Sequence, residues 1–410
     1  MILWRALGGK GLFAALIVGL GSYYPGTVRS EAMDETSPWR LNIEPSLLVS
    51  SRYDSNLYRQ ADDRNKSDDW LLQISPHIVA AATSGIFLAQ VEMDYSAGRY
   101  SEFSEDNFND YWLETDLRWQ LNHRNQLRLV ARESHLHEDR GTELTEGDFS
   151  RVSAPIEFDS SRYMARYQLG TPQSTGRLVT WIRYYDKQYQ NFRAITEQRD
   201  YNELTGQAEF YWRVAGRTLL QFQLTATETD YDVDPLPQDG VGDTLDSRTG
   251  VLLAGAAWGV TGKSGLSILM GYRKRNFNDP DREDFDGPSW RISANWAPLD
   301  YSRLDFETAQ EDKETNGLGS FINSERYHFG WSLDWNSRFG TELTSTLVKD
   351  QYEGVIRTDR NWFNEFKIEY HMRYWLDFGI SFAHEVNESD VARFEFERSL
   401  VQLYGEIHTD

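Results

Sequence analysis

Residues 68–100 read DDWLLQISPHIVAAATSGIFLAQVEMDYSAGRY, with apolar side chains at every second position on both sides of a break at 83–85. The positions between them hold polar or charged residues, such as His77 and Glu92. A period of two predicts a β-hairpin with one apolar and one polar face. The runs are roughly eleven to fifteen residues long, whereas strands of soluble proteins usually have about five or six.

Two classes of protein produce this pattern. In a soluble antiparallel sheet with one solvent-exposed face, apolar and polar residues alternate in the same way. A transmembrane β-barrel also alternates, because its outer face meets lipid and its inner face lines an aqueous interior. Alternating segments recur from about Trp39 to the end of the sequence. We count about eighteen of them, an even number within the range of bacterial outer-membrane barrels.

The connections between these segments alternate in length. Short ones read TSG, NHR, AG, TGKS, LD and NSRFG. Long ones are acidic and read DSNLYRQADDRNKSDD, EDRGTELTEGDFSRVSAPIEFDSS, TDYDVDPLPQDGVGDTLDS and NDPDREDFDG. Short turns on one rim and long loops on the other are typical of outer-membrane barrels. We interpret the acidic loops as solvated, with calcium or substrate capture as the alternative.

Composition excludes several classes of function. The 410 residues include no cysteine, so disulfides, thiolate metal sites and cysteine nucleophiles are absent. The formal net charge of −22 argues against a nucleic-acid partner, because phosphates would be repelled. No internal apolar run is long enough for a transmembrane helix.

The first residues resemble a secretory signal peptide. Arg5 and Lys10 precede the apolar run GLFAALIVGLG. SEA at 30–32 offers small residues at a cleavage site. We therefore predict a signal peptide at 1–32 and a barrel at 33–410.

Tryptophans supply an independent test of the membrane interpretation. Five of them lie on the apolar face near the end of a segment, shortly before a short turn: Trp119, Trp212, Trp258, Trp296 and Trp335. In a barrel they would share one depth, as in an aromatic girdle at the periplasmic membrane interface. A soluble barrel gives no reason for that alignment, so we predict that the apolar face contacts lipid.

The period of two also predicts which charged residues line the interior. The basic ones are Arg128, Arg132, Arg162, Arg166, Arg183, Lys187, Arg273, Arg275 and Arg291. The acidic ones are Glu92, Asp94, Glu114, Asp116, Asp305 and Glu307, followed by further carboxylates towards the end of the chain. Separate basic and acidic arcs would select charged solutes, with anions preferred along the basic arc. The alternative is that these charges pair across neighbouring strands.

Two further groups of residues leave the function open. Interior aromatic residues are placed to stack on sugar rings or to pack against an inward-folded loop: Trp112, Trp181, Tyr185, Tyr189 and Tyr211. His135 and His137 share one strand face beside acidic residues, as a metal pair, a catalytic dyad or a solvated rim would. No Ser/His/acid set accompanies them, so we predict no enzyme, no metal site and no cofactor.

The first quarter of the chain resembles a known family. SRYDSNLYRQ (51–60), DDWLLQISPHIVA and MDYSAGRYSEFSEDNFNDY are similar to the opening of the putative β-barrel porin 2 family, which includes exopolysaccharide-operon outer-membrane proteins of the EpsL and VpsM kind. The remaining three quarters resemble it in architecture alone. This resemblance implies an outer-membrane pore linked to polysaccharide secretion, and it brings no catalytic motif.

We therefore predict an all-β fold: a transmembrane, antiparallel, up-and-down β-barrel of about eighteen strands, with short periplasmic turns and long extracellular loops. It would lie in a Gram-negative outer membrane. The resemblance implies exopolysaccharide export, with the lipid bilayer, the polysaccharide, the barrel assembly machinery and separate periplasmic export proteins as partners. A general or solute-specific diffusion porin is the alternative, and an adhesin or structural barrel is a third.

Overall fold

Eighteen antiparallel β-strands form one closed sheet in the described part of the chain, residues 39–61, 65–234, 244–261 and 263–409. In the computed structural model the strands are β1 Arg40–Asp54, β2 Asp69–Ser84, β3 Phe87–Tyr100, β4 Phe108–Asn122, β5 Asn125–Glu138, β6 Ile156–Leu169, β7 Gly176–Tyr189, β8 Tyr201–Ala215, β9 Thr218–Tyr231, β10 Ser247–Thr261, β11 Ser264–Phe277, β12 Phe285–Leu299, β13 Ser302–Lys313, β14 Phe321–Asp334, β15 Phe339–Glu353, β16 Thr358–Arg373, β17 Leu376–Ser389 and β18 Phe396–His408. The one α-helix in these ranges, α1, is Arg193–Thr196, and single 3-10 turns occupy Ser104–Asp106, Glu143–Thr145, Phe149–Arg151, Glu197–Arg199 and Ala392–Phe394. A search of the described residues finds no helix with the length and apolar content needed to cross a membrane.

Each strand pairs with its neighbours in the chain, and β1 closes the barrel on β18. That closing ladder runs from Ser46 opposite His408 to Asp54 opposite Leu400. The predicted up-and-down barrel of about eighteen strands is confirmed. The predicted signal peptide at 1–32 lies outside the described residues.

The hairpin of β2 and β3 has the tight turn that its sequence suggested. Only Gly85 and Ile86 separate the two strands, so the turn begins later than the predicted break at 83–85. Gly85 has a φ of 48°, in the left-handed region that glycine adopts without steric cost.

The period of two separates an outward apolar face from an inward polar face. On β3, Val91 and Met93 point outwards and are 41% and 47% exposed. Between them Glu92 points inwards, where its Oε1 lies 2.9 Å from Nε2 of His77 on β2. A slip of one residue would place Glu92 and Asp94 on the outside, so the apolar pattern fixes the register.

The two rims of the barrel differ as predicted. We call the rim with short connections, such as 85–86 and 123–124, the turn rim, and the opposite one the loop rim. The four predicted long connections are all shorter than their sequences suggested, most of all the one after β5. We predicted a loop from Glu138 to Ser161, but β6 already begins at Ile156, which leaves 139–155 as the β5–β6 loop.

The ladder between β12 and β13 is the shortest in the described sheet. It runs from Leu299 opposite Ser302 only as far as Arg291 opposite Ala309. Beyond that point β12 pairs with β11 alone, and β13 pairs with β14 alone. Near the loop rim the two strands therefore meet without a backbone ladder.

The outward apolar face predicts a depth-dependent response to charge. Leu252 of β10 lies opposite Leu224 of β9 in the middle of the strands, and both are more than half exposed. In lipid vesicles, Leu252→Arg should destabilise the barrel by about 2–4 kcal/mol, because a lipid-facing Arg is most costly near the midplane. Leu121→Arg, at the turn rim, is the matched control and should cost about 0–1 kcal/mol. Urea titration followed by heat-modifiable mobility on gels measures both, and equal losses would contradict a lipid-facing band.

Candidate functional site: the barrel lumen

The predicted interior charges all lie on inward strand faces, and most of the basic ones are ion-paired. Arg128 of β5 lies 2.8 Å from Asp116 of β4. Arg162 of β6 reaches over β5 to Glu114 of β4 at 2.7 Å, and Arg132 approaches the same carboxylate at 3.8 Å. Two acidic residues of β4 thus neutralise much of the basic arc beside them.

The basic residues on β7 are paired in the same way. Lys187 Nζ donates to Glu138 Oε1 of β5 at 2.7 Å. Arg183 bonds to Glu203 on β8. The predicted basic arc on β5, β6 and β7 is therefore largely a set of cross-strand pairs, as the alternative interpretation supposed.

The other predicted charges have similar surroundings. Arg166 bonds to Gln168 at 3.2 Å, and the ion pairs are Arg273 with Asp312, Arg275 with Glu314 at 2.9 Å, Arg291 with Glu311 at 3.6 Å and Asp305 with Arg303 at 2.7 Å. In the strand register, Asp94 lies opposite Trp112, and Glu307 lies opposite Ser293 and His328. Arg273 and Arg275 are only 2% and 1% exposed, so they hold the wall together and are not open to solvent.

The predicted aromatic girdle follows the turn rim. Trp212, Trp296 and Trp335 are 48%, 55% and 65% exposed on the outer face. Trp119 packs on Phe87 with ring centroids 4.8 Å apart, and Trp258 lies opposite Leu266. Further aromatic residues that we did not predict share this rim, namely Trp39, Tyr301, Phe339, Tyr374 and Trp375.

Aromatic and cationic side chains alternate along the inner face of β7. We call this set the β7 strip: Arg177, Trp181, Arg183, Tyr185, Lys187 and Tyr189. Its members stack on each other and on β8, with Arg177 4.0 Å from the ring centroid of Tyr211 and Lys187 4.5 Å from that of Tyr189. At about 3.3 Å per residue the strip covers roughly 40 Å of strand, from the turn rim to the loop rim.

Neutral hydrogen-bonding side chains lie next to the β7 strip, on β8 and β9. We call them the amide belt: Thr205, Gln207, Gln221, Gln223 and Thr225. Gln207 Oε1 accepts from Thr225 Oγ1 at 2.9 Å and from Gln223 Nε2 at 3.2 Å. Amides and hydroxyls of this kind both donate and accept hydrogen bonds.

The β5–β6 loop folds into the lumen and is anchored on its first residues. Arg140 Nε donates to Asp106 Oδ1 at 2.6 Å, and Arg140 Nη2 donates to the Tyr58 hydroxyl at 2.7 Å. Gly141 passes directly against the Tyr58 backbone, where an added Cβ would lie 2.1 Å from the carbonyl oxygen. Gly141 also has a φ of 86°, so both geometry and space require glycine.

The same loop reaches the opposite wall. Glu146 Oε1 accepts from Arg357 Nη2 at 2.8 Å, and its Oε2 accepts from Asn316 Nδ2 at 2.7 Å. Arg357 belongs to the β15–β16 loop and Asn316 to the β13–β14 loop. The β5–β6 loop therefore spans the barrel from β5 to the strands across from it.

Apolar contacts hold this loop on both sides. Leu144 and Val152 pack into a buried cluster with Ile156 and Tyr189 of the wall. On the other side Phe149 stacks on Tyr58 with ring centroids 4.1 Å apart. Our interpretation of this segment as a solvated loop is wrong. The apolar residues of this loop, which are unusual in a fully solvated loop, were the feature of the sequence that could have predicted its burial.

Charged side chains of the described loops are buried at the loop rim. Arg59, Arg140 and Arg357 are only 7%, 8% and 4% exposed, although each belongs to a connection and none to a strand. A cavity of about 10 Å³ lies where the β1–β2 loop meets Gly147 and Phe149. That volume holds one water molecule at most.

Glu143 of the β5–β6 loop lies within electrostatic range of Lys187 on β7 and Lys313 on β13. It is held at a φ of 45°, an uncommon conformation for a residue other than glycine. Burial and the nearby Glu138 carboxylate raise the pKa of Glu143 to about 7, while Lys187 of β7 and Lys313 of β13 oppose that rise.

The two histidines that suggested a metal pair or a dyad have separate partners. His137 Nδ1 lies 2.8 Å from Asp110 and its Nε2 lies 3.0 Å from Asp139. His135 Nδ1 lies 2.7 Å from Asp159. In the described ranges no three His, Asp or Glu side chains converge as metal ligands do.

Comparisons with known proteins give one family and a fold. The model of a family described as Putative beta-barrel porin 2 matches residues 41–406. No curated protein matches the sequence. Among solved structures, the outer membrane protein OpdK from Pseudomonas aeruginosa is 12% identical, with a TM-score of 0.47 and coverage of 90% of this chain and 99% of that one.

Two transporters are similar to a comparable degree. The FrpB iron transporter from Neisseria meningitidis is 10% identical, with a TM-score of 0.47 and coverage of 84% of this chain. The copper transporter OprC is 11% identical, with a TM-score of 0.49 and coverage of 87% of this chain. The match spans 62% and 64% of those two proteins' own lengths.

Proposed function

The chain belongs to the Putative beta-barrel porin 2 family and is a porin-like β-barrel of the Gram-negative outer membrane, and from this premise we propose that it exports an exopolysaccharide. The chain would act as the outer-membrane pore of a secretion system of the EpsL and VpsM kind. The barrel assembly machinery would insert it, and separate periplasmic proteins would deliver the polymer. The proposal assigns no catalysed reaction to the chain.

The β7 strip is the observation that carries this proposal. Sugar rings present flat C–H faces that pack on aromatic side chains, and their hydroxyls need both donors and acceptors. Trp181 and Tyr185 supply aromatic faces, and the neighbouring amide belt supplies hydrogen-bond donors and acceptors. The part of the strip from Arg177 to Tyr185 covers about 26 Å of strand, so it offers successive sites to a chain of sugars and is longer than a single small solute needs. Its loop-rim end, at Tyr189, is covered by the β5–β6 loop.

A second candidate is a solute-specific diffusion porin. The crossing β5–β6 loop favours it, because a polymer would have to displace that loop whereas a small solute could pass beside it. Liposome swelling separates the two. Rapid entry of monosaccharides through the unmodified protein would support the diffusion porin.

The proposal predicts that the strip is needed for secretion. Replacing Trp181 and Tyr185 with alanine should reduce secreted polysaccharide severalfold, since each aromatic contact contributes about 0.5–1.5 kcal/mol. Polymer in the medium of producing cells is the measurement. Trp362→Ala, on the outer face of β16, is the control and should leave secretion unchanged if the barrel assembles. Normal secretion by the double variant, with normal heat-modifiable mobility, would rule out the strip as the path.

A further inference from the structure

We propose that the saccharide recognised in this lumen is uncharged, a neutral glycan chain held by the β7 strip and the amide belt. This inference rests on the proposed function and specifies its substrate class. It replaces the anion preference that the sequence suggested for the basic arc.

The first argument is the pairing of cations along the β7 strip. Arg183 bonds to Glu203, and Lys187 bonds to Glu138 with Nζ and Oε1 2.7 Å apart. Lys187 and Glu138 are 12% and 2% exposed, so their charges are already compensated within the wall. An acidic sugar would have to displace a resident carboxylate before it could bind, and breaking a buried pair is costly.

The second argument is the chemistry of the amide belt. Thr205, Gln207, Gln221, Gln223 and Thr225 carry no charge, and they lie beside the aromatic residues of the strip on β8 and β9. Glutamine amides and threonine hydroxyls match the donor and acceptor pattern of sugar hydroxyls. A lumen built for a uronate or a phosphate would need unpaired cations at this position.

The third argument concerns the Glu209 carboxylate, which lies beside the amide belt on β8. Glu209 accepts hydrogen bonds from Gln207 and from the Tyr211 hydroxyl, so it orients two neutral groups next to the β7 strip. Its negative charge opposes an anionic sugar. A cationic sugar is disfavoured in turn by the guanidinium group of Arg177 on the adjacent strand, which lies over the Tyr211 ring.

Calorimetric titration of the full-length protein in lipid nanodiscs tests the proposal. The probes are maltohexaose, hexagalacturonate and a glucosamine hexamer, added to the same preparation. Maltohexaose should bind about tenfold more tightly than either charged probe. Its affinity should not change with ionic strength, because no net charge is screened.

Substitutions test whether the probe binds at the β7 strip and the amide belt. Trp181→Ala and Gln207→Ala should each weaken maltohexaose binding severalfold, whereas Trp362→Ala on the outer face should not. If a charged probe binds most tightly, and loses affinity in the same two variants, the neutral class is wrong but the saccharide function stands. If none of the three probes binds, the proposed function and this inference are both wrong.

Discussion

Replacing Arg140 and Glu146 together with alanine should raise the single-channel conductance severalfold. Arg140 fixes the near end of the β5–β6 loop to Asp106 and Tyr58, and Glu146 fixes the far side to Arg357. Each is a charge-assisted contact, and hydrogen bonds to charged groups contribute about 1.5–3 kcal/mol apiece. Without both, apolar packing alone holds the loop across the lumen. Planar bilayer recordings under symmetric salt measure the change.

Arg124→Ala is the control for that experiment. Arg124 is exposed in the β4–β5 turn, at the opposite rim, and the same substitution there should leave the conductance as it was. Heat-modifiable mobility shows whether each variant has closed its barrel. An assembled double variant with unchanged conductance would mean that Arg140 and Glu146 do not hold the β5–β6 loop across the lumen.

The open probability of the channel should rise with pH. The pKa of Glu143 is raised to about 7 in the closed arrangement by burial and by Glu138, and it would return towards about 4.5 when the loop is solvated. The closed state binds the extra proton, so its advantage is complete below about pH 4.5 and is lost as pH rises through about 7. Glu146 adds in the same direction, because burial raises its pKa against the effect of Arg357.

Channel recordings at a series of pH values between 4 and 9 test this expectation. Glu143→Gln should remove most of the pH dependence and leave the channel closed, since an amide stays neutral throughout. Glu395→Gln, an exposed acidic residue of the β17–β18 loop, should behave as the unmodified protein does. A pH profile identical in Glu143→Gln and the unmodified protein would assign the proton to another group.

The fold could be predicted because one physical rule acts along nearly the whole chain. An outer apolar face and an inner polar face force a period of two, so Val91 and Glu92 are assigned to opposite faces by sequence alone. The same rule gave the inward faces of β5, β6 and β7. It carried no information about ion pairing, because Arg162 reaches a partner 48 positions away, on a strand that is not its neighbour.

The path of the β5–β6 loop could not be predicted in this way. Its contacts are set by where other loops end, and Glu146 meets Arg357 across a separation of 211 residues. Acidic residues in a loop usually indicate solvation, which is how we interpreted them. Leu144 and Phe149 were the exception to that pattern, and they are the residues that pack inside.

The incomplete ladder between β12 and β13 has a consequence for the mechanics of the wall. The diameter of a closed sheet follows from strand number and stagger where every strand is bonded to both neighbours. Above Arg291 and Ala309 that condition fails, and Ser289 Oγ contacts the Gln310 carbonyl oxygen only at 3.5 Å. Regions with few hydrogen bonds open at the lowest free energy. The circumference at the loop rim can therefore widen at this seam, and the cross-section of the mouth is not fixed by the eighteen strands alone.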